Sequence, residues 1–135
     1  MLVLLDTDIC IYLINRRPGF ERVLRRLSGR SFGEICISAI TVSELRYGVA
    51  KSAKSSENTA ALEEFLSRFE LLDYPVEAAE GYGQVRIKLE RSGKPVGNND
   101  LLIAAHALAV GARVATANKT EFERVPGLKV LDWLT

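Results

Sequence analysis

Apolar and polar positions along this chain switch between two periods, one suited to short buried strands and one to helices. Leu2–Leu5 is an unbroken apolar run that stops at Asp6, the pattern of a strand buried on both faces. Ile9, Leu13 and Ile14 follow at helical spacing until Pro18-Gly19 breaks it. Phe20, Val23, Leu24 and Leu27 then define an amphipathic helix whose other face is arginine. Ile35–Ile37 predicts a second strand, after which Thr41 opens a helix carrying Leu45, Gly48 and Val49. A longer helical stretch over 57–69 leads to a short strand at Leu71, Leu72 and Tyr74, closed by Pro75. Residues 76–92 are helical in pattern, and Ser92-Gly93-Lys94-Pro95 is a loop. The segment 101–110 is apolar nearly all round, which predicts a buried helix, capped by Asn98 or Asn99 and ended by Gly111. Arg113–Thr116 and Lys129–Leu131 supply the last two strands.

Strands alternating with helices imply a parallel sheet with right-handed crossovers and helices on both faces. The expected fold is therefore one three-layer α/β domain over residues 1–135, with a sheet of four to five short strands. No internal repeat or low-complexity tract interrupts it. With 47% hydrophobic and 26% charged residues, the chain has enough apolar surface for a packed core, which excludes a disordered chain.

A net charge of +1 argues neither for nor against nucleic acid, but its distribution is uneven. Six arginines against one glutamate between Asn15 and Arg30 make a local balance of +5, and Lys51 to Glu80 carries −4. Such a division suits an anionic ligand and a basic partner, and solvated helix faces account for it equally well. Cys10 and Cys36 lack C-x-x-C spacing and read as buried thiols in a reducing compartment. The apolar start is too short for a signal-peptide core, and the run 101–110 is about half a membrane span. The expected location is the cytoplasm, with no membrane association.

In an open parallel sheet, ligands gather at the carboxyl ends of the strands. Asp6 follows the first strand, Glu44 lies one turn into the helix after the second, Asp100 opens the buried helix, and Asn118 follows the strand ending at Thr116. An oxygen-only cluster of this kind suits Mg²⁺ or Mn²⁺, whereas zinc wants histidine and cysteine ligands. A divalent cation there can activate water and stabilise a phosphodiester transition state, with no side-chain nucleophile. Each residue also has a local explanation. Thr41-Val42-Ser43-Glu44 has the form of a capping box, and Asp100 complements a helix dipole. Asn118-Lys119-Thr120-Glu121 outlines another helix start, leaving Glu121 a secondary candidate for metal contact. Asp6 is harder to dismiss, since a carboxylate ending a buried strand needs partners. His106, the sole histidine, sits in an apolar helix and reads as a satisfied core residue rather than a base. Ser38 and Ser43 lack a G-x-S-x-G elbow, and Gly81-Tyr82-Gly83 has no third glycine. Trp133 reads as packing at a core edge. The arginine face of 20–30, with Arg86 and Lys88, offers candidate contacts to an RNA backbone, a dimer mate or another partner.

Four segments, LLDTDICIYLI, ISAITVSELRYG, PVGNNDLLIAAHALAVG and ATANKTEFERVPGLKVLDW, occur in the order and spacing of a VapC-type PIN-domain ribonuclease, and the chain resembles that family almost end to end. The resemblance implies a Mg²⁺-dependent (or Mn²⁺-dependent) endoribonuclease toxin of a toxin–antitoxin pair. Asp6, Glu44 and Asp100 match the family's metal-binding acids, and Asn118 stands where many members have a fourth acid, in a position to orient water or substrate. Asp8 stands where asparagine is commoner. The resemblance further implies a homodimer, a VapB-like antitoxin that silences it, and a structured RNA substrate such as transfer RNA. Two other readings compete. Asp6-Thr7-Asp8 has the D-x-D form of haloacid-dehalogenase-like phosphatases, although those enzymes need a downstream lysine and acidic pair and usually a longer chain. A non-catalytic PIN-like binding module is the other.

Overall fold

Five strands and seven helices alternate along the chain in a computed structural model that describes residues 1–135. The strands are β1 (Val3–Leu5), β2 (Ile35–Ser38), β3 (Glu70–Leu72), β4 (Arg113–Thr116) and β5 (Val130–Asp132). The helices are α1 (Thr7–Ile14), α2 (Phe20–Leu27), α3 (Ala39–Ala50), α4 (Ser55–Leu66), α5 (Glu77–Arg91), α6 (Asn98–Val110) and the four-residue α7 (Lys119–Phe122). All strands pair in parallel, in the order β3-β2-β1-β4-β5. The expected three-layer α/β domain with a parallel sheet is what the chain forms.

The period of two within each strand divides the interior into two cores. On one face, Val3, Leu5, Ile35, Ile37 and Ala115 pack with Ile9, Val23, Leu45, Leu62 and Trp133. On the other, Leu4, Cys36 and Val114 pack with Leu89, Leu101, Ile103 and Phe122. Strands buried on both faces must be apolar throughout, which is why β1 reads as an unbroken run rather than an alternation. Trp133 is 1% exposed and packs in the first core. Both cysteines are free and buried, one in each core, and burial pushes the Cys36 thiol up to about 11 and raises Cys10 well above its ordinary value. No helix is long and apolar enough to cross a membrane.

Two helix starts differ from the sequence expectation. α3 begins at Ala39, capped by Ser38, whose Oγ accepts the Ile40 N–H at 3.1 Å. Thr41 is therefore already inside the first turn, and the Thr41–Glu44 capping box does not form. α6 begins at Asn98 after an extended Gly97 (φ −53°, ψ 145°), with no side-chain cap. An N-cap residue needs extended backbone, so Asn98 and Asn99, being helical, cannot serve. Strand ends shift too: β3 stops at Leu72, leaving Tyr74 beyond it, and β5 starts one residue later than expected. Gly111 does end α6 as expected, in the left-handed conformation (φ 71°) that a side chain disfavours.

Candidate active site

Sheet order reverses between β1 and β4: from β1 the chain adds β2 and β3 on one side, then returns to add β4 and β5 on the other. The crevice at the carboxyl ends of those two strands is where an open α/β sheet presents a ligand site. Asp6 sits there, directly after β1, with Thr116 as the last residue of β4 beside it. Asp6 caps α1, its Oδ1 accepting the Ile9 N–H at 2.8 Å, while Oδ2 accepts the Thr116 hydroxyl at 2.5 Å. It is 2% exposed. Burial raises its pKa to about 7 despite those two hydrogen bonds, and the charges of Asp8 and Asp100 push the same way.

Helix α3 contributes Glu44. Its Oε1 accepts the Thr7 hydroxyl at 2.6 Å and its Oε2 accepts the Asn99 amide at 3.2 Å, so Glu44 ties α1 and α6 together rather than bonding back to its own helix. Asp100 lies in the first turn of α6. Its pKa is also raised to about 7, by partial burial first, then by Glu121, Glu44 and Asp8, with a carboxyl–carboxyl hydrogen bond to Glu121 adding to the rise. Glu121 is itself held, accepting the Gly97 N–H at 2.7 Å and the Asn118 amide at 2.6 Å. An open cleft of about 700 Å³ joins these elements, with Thr7, Asp8, Glu44, Asn99 and Asp100 among its walls.

Of the four residues expected from sequence, Glu44 and Asp100 face this cleft, and buried Asp6 is within reach of the charge of Asp100. Asn118 belongs to a supporting layer. Its side chain bonds Glu121 and its N–H donates to Thr116 Oγ1 at 2.7 Å, which in turn bonds Asp6. Only the Nδ2 of Asn118 is engaged, by Glu121, which leaves the amide oxygen without a hydrogen bond within the chain. Glu121, a secondary candidate on sequence, exerts the largest charge effect on Asp100. The sequence pattern assigns no site role to Thr7, Asn99 or Thr116, and Asn99 reads there only as a helix cap. Only Thr116 left a signal, a hydroxyl at the last position of an apolar strand.

The donor set is oxygen throughout. No three acidic, histidine or cysteine side chains form a closed metal-binding group in this conformation. Two carboxyls held near pKa 7 beside further acids place uncompensated negative charge where a divalent cation relieves it.

His106 is buried away from this chemistry. Its Nδ1 lies 2.8 Å from Ser38 Oγ and its Nε2 has no partner, while burial lowers its pKa and keeps the ring neutral. It is a core histidine, though satisfied on one nitrogen only. Several arginines are also occupied. Arg22 and Arg26 donate to the Leu134 and Thr135 carbonyls, Arg30 stacks over Trp133, and Arg86 bonds Glu90 and Tyr82.

The PIN-domain family model matches residues 3–128, nearly the whole described fold. The chain belongs to the PIN-domain family. Among its VapC-type relatives, Ribonuclease VapC2 of Rickettsia felis is 43% identical over 134 residues, covering 98% of both chains. The tRNA(fMet)-specific endonuclease VapC of Shigella flexneri is 45% identical over 130 residues, covering 96% of both. Among solved structures, VapBC2 of Rickettsia felis bound to a promoter DNA fragment superposes with a TM-score of 0.88 at 42% identity, covering 98% of this chain and 99% of that one. VapBC-1 of nontypeable Haemophilus influenzae superposes with a TM-score of 0.90 at 34% identity over the full length of both. The VapC-type PIN resemblance seen in the four sequence segments is thereby established for the chain as a whole.

Proposed function

We propose that this PIN-domain protein is a divalent-metal-dependent endoribonuclease, the toxin of a toxin–antitoxin pair, hydrolysing RNA phosphodiester bonds. The observation that carries this reading is the crowding of Asp6, Glu44, Asp100 and Glu121 at the sheet-reversal crevice, with two carboxyls raised to about pKa 7. Asp6, Glu44 and Asp100 would hold Mg²⁺ or Mn²⁺. When bound, the cation supplies charge neutralisation at the phosphate and lowers the pKa of water for attack. The chain's own groups do the positioning. Ile9 N–H and Thr116 aim Asp6, Thr7 and Asn99 aim Glu44, and Asn118 with Gly97 holds Glu121 against Asp100.

Names of the relatives support transfer RNA as the substrate class. The VapBC complexes support a VapB-like antitoxin as partner. A groove of about 420 Å³ between α2, α4 and the start of β2 fits such a protein: Phe20, Leu24, Phe32, Phe65 and Phe69 are apolar, and Arg16, Arg30 and Arg68 are cationic. An amphipathic segment bearing acidic residues has the matching chemistry. A homodimer working in the cytoplasm completes the reading. Incubating the purified protein with total RNA tests it: a few discrete cuts should appear with Mg²⁺ and vanish with EDTA. RNA left intact by folded, Mg²⁺-loaded protein would refute it, and binding without scission would favour the non-catalytic module.

A further inference from the structure

The wall of the acidic cleft carries one aromatic ring and one cation, and they touch. Tyr47 is 66% exposed, one helical turn beyond Glu44 on the same face of α3. Lys51 lies one turn further, its Nζ 4.8 Å from the Tyr47 ring centroid. Both line the cleft with Asp8, Glu44 and Asp100. The chain offers the Tyr47 hydroxyl no hydrogen bond, and this large ring is left in solvent beside the carboxylates. The acids themselves repel a polyanion, so a nucleic acid entering the cleft needs a compensating cation near the reacting phosphate. Lys51 is the only one on the wall. The ammonium lies over a ring that otherwise stays largely in solvent.

We infer that Tyr47 and Lys51 form a stacking platform for an unpaired nucleobase next to the scissile phosphate, with Lys51 contacting an adjacent phosphate. The inference rests on the ribonuclease reading above. A base inside a duplex has both faces covered by its neighbours, so the platform restricts cutting to loops and single strands. Stacking on an aromatic side chain tolerates any base, so the platform selects unpaired structure rather than sequence.

The test uses a cut site mapped in total RNA and a short single-stranded RNA oligonucleotide spanning it, together with versions abasic at each position flanking the cut. Stacking contributes about 1–3 kcal/mol per base, equivalent to roughly 5- to 150-fold in affinity. Tyr47→Ala should raise KM by a factor in that range and leave kcat nearly unchanged, while Tyr47→Phe behaves as wild type. Lys51→Ala should raise KM and reduce its salt dependence. The abasic oligonucleotide that impairs wild type should impair Tyr47→Ala no further. Tyr47→Ala with the wild-type KM and an unchanged melting temperature would overturn the platform, as would an abasic penalty equal in both proteins. A wild-type protein that cuts no RNA would bring down the ribonuclease reading itself, a result distinct from active protein indifferent to Tyr47.

Discussion

Asp6 and Asp100 are the residues on which local sequence logic and three-dimensional chemistry differ most. By position each is an ordinary helix-start acid, and Asp6 does cap α1. Yet both are raised from 3.8 to about 7, which reverses the usual pH effect of a capping acid. A carboxyl whose folded pKa exceeds its unfolded value binds more protons when folded between those two values, so stability falls as pH rises from about 4 to 7. The metal-free protein should therefore melt higher at pH 5 than at pH 8 in a thermal scan, and saturating Mg²⁺ should narrow that gap. Asp100→Asn removes one of the crowded charges and should raise the metal-free melting temperature by roughly 3–5 °C for each 1 kcal/mol relieved. A residue serving the dipole alone would lose about 0.3–1 kcal/mol on the same change and melt lower. Glu44→Gln keeps an acceptor for Thr7 but lacks the charge a cation requires, so the variant should fold normally and cut RNA about a hundredfold more slowly. Full activity in a cleavage assay would exclude Glu44 from metal binding.

Helix starts are where the elements depart from the sequence pattern. Capping signals are short and degenerate, and this chain offers several in succession: Ser38 and Thr41 around the start of α3, and Asn98 and Asn99 at the start of α6. Which one serves depends on where the preceding strand ends. β2 extends through Ser38, so Ser38 becomes the cap, and Glu44 is freed to cross to Thr7 and Asn99. Ser38 has a second partner in His106, which joins α3 to α6, the two helices that carry Glu44 and Asp100. Ser38→Ala should remove the cap and leave both His106 ring nitrogens unpartnered, costing about 1–3 kcal/mol. Urea unfolding with an unchanged slope checks this, and a loss below about 0.5 kcal/mol would show that His106 needs no partner there.

For the molecule as a whole, strand order decides function. A sheet that turns back on itself between β1 and β4 gathers the first strand end, the start of α6 and the end of β4 at one crevice, although the first lies about a hundred residues from the other two. If the crevice cuts RNA, expressing this chain without a partner should slow growth, and Asp6→Asn at equal protein level should not; equal harmlessness of the two would count against a toxin. The alternation of apolar strands with amphipathic helices was enough to specify a parallel three-layer α/β domain, because burial on both faces demands unbroken apolar runs and crossover helices demand one apolar stripe. Sequence also singled out Asp6, Glu44 and Asp100, since each carboxylate follows closely on a strand or opens a buried helix. Their surroundings were beyond its reach. Thr116 beneath Asp6, Asn99 on Glu44, and Glu121 rather than Asn118 against Asp100 are contacts between distant segments. Burial and mutual charge, which raise the carboxyl pKa values to about 7, arise only when those segments are packed together, so the tertiary structure alone decided them.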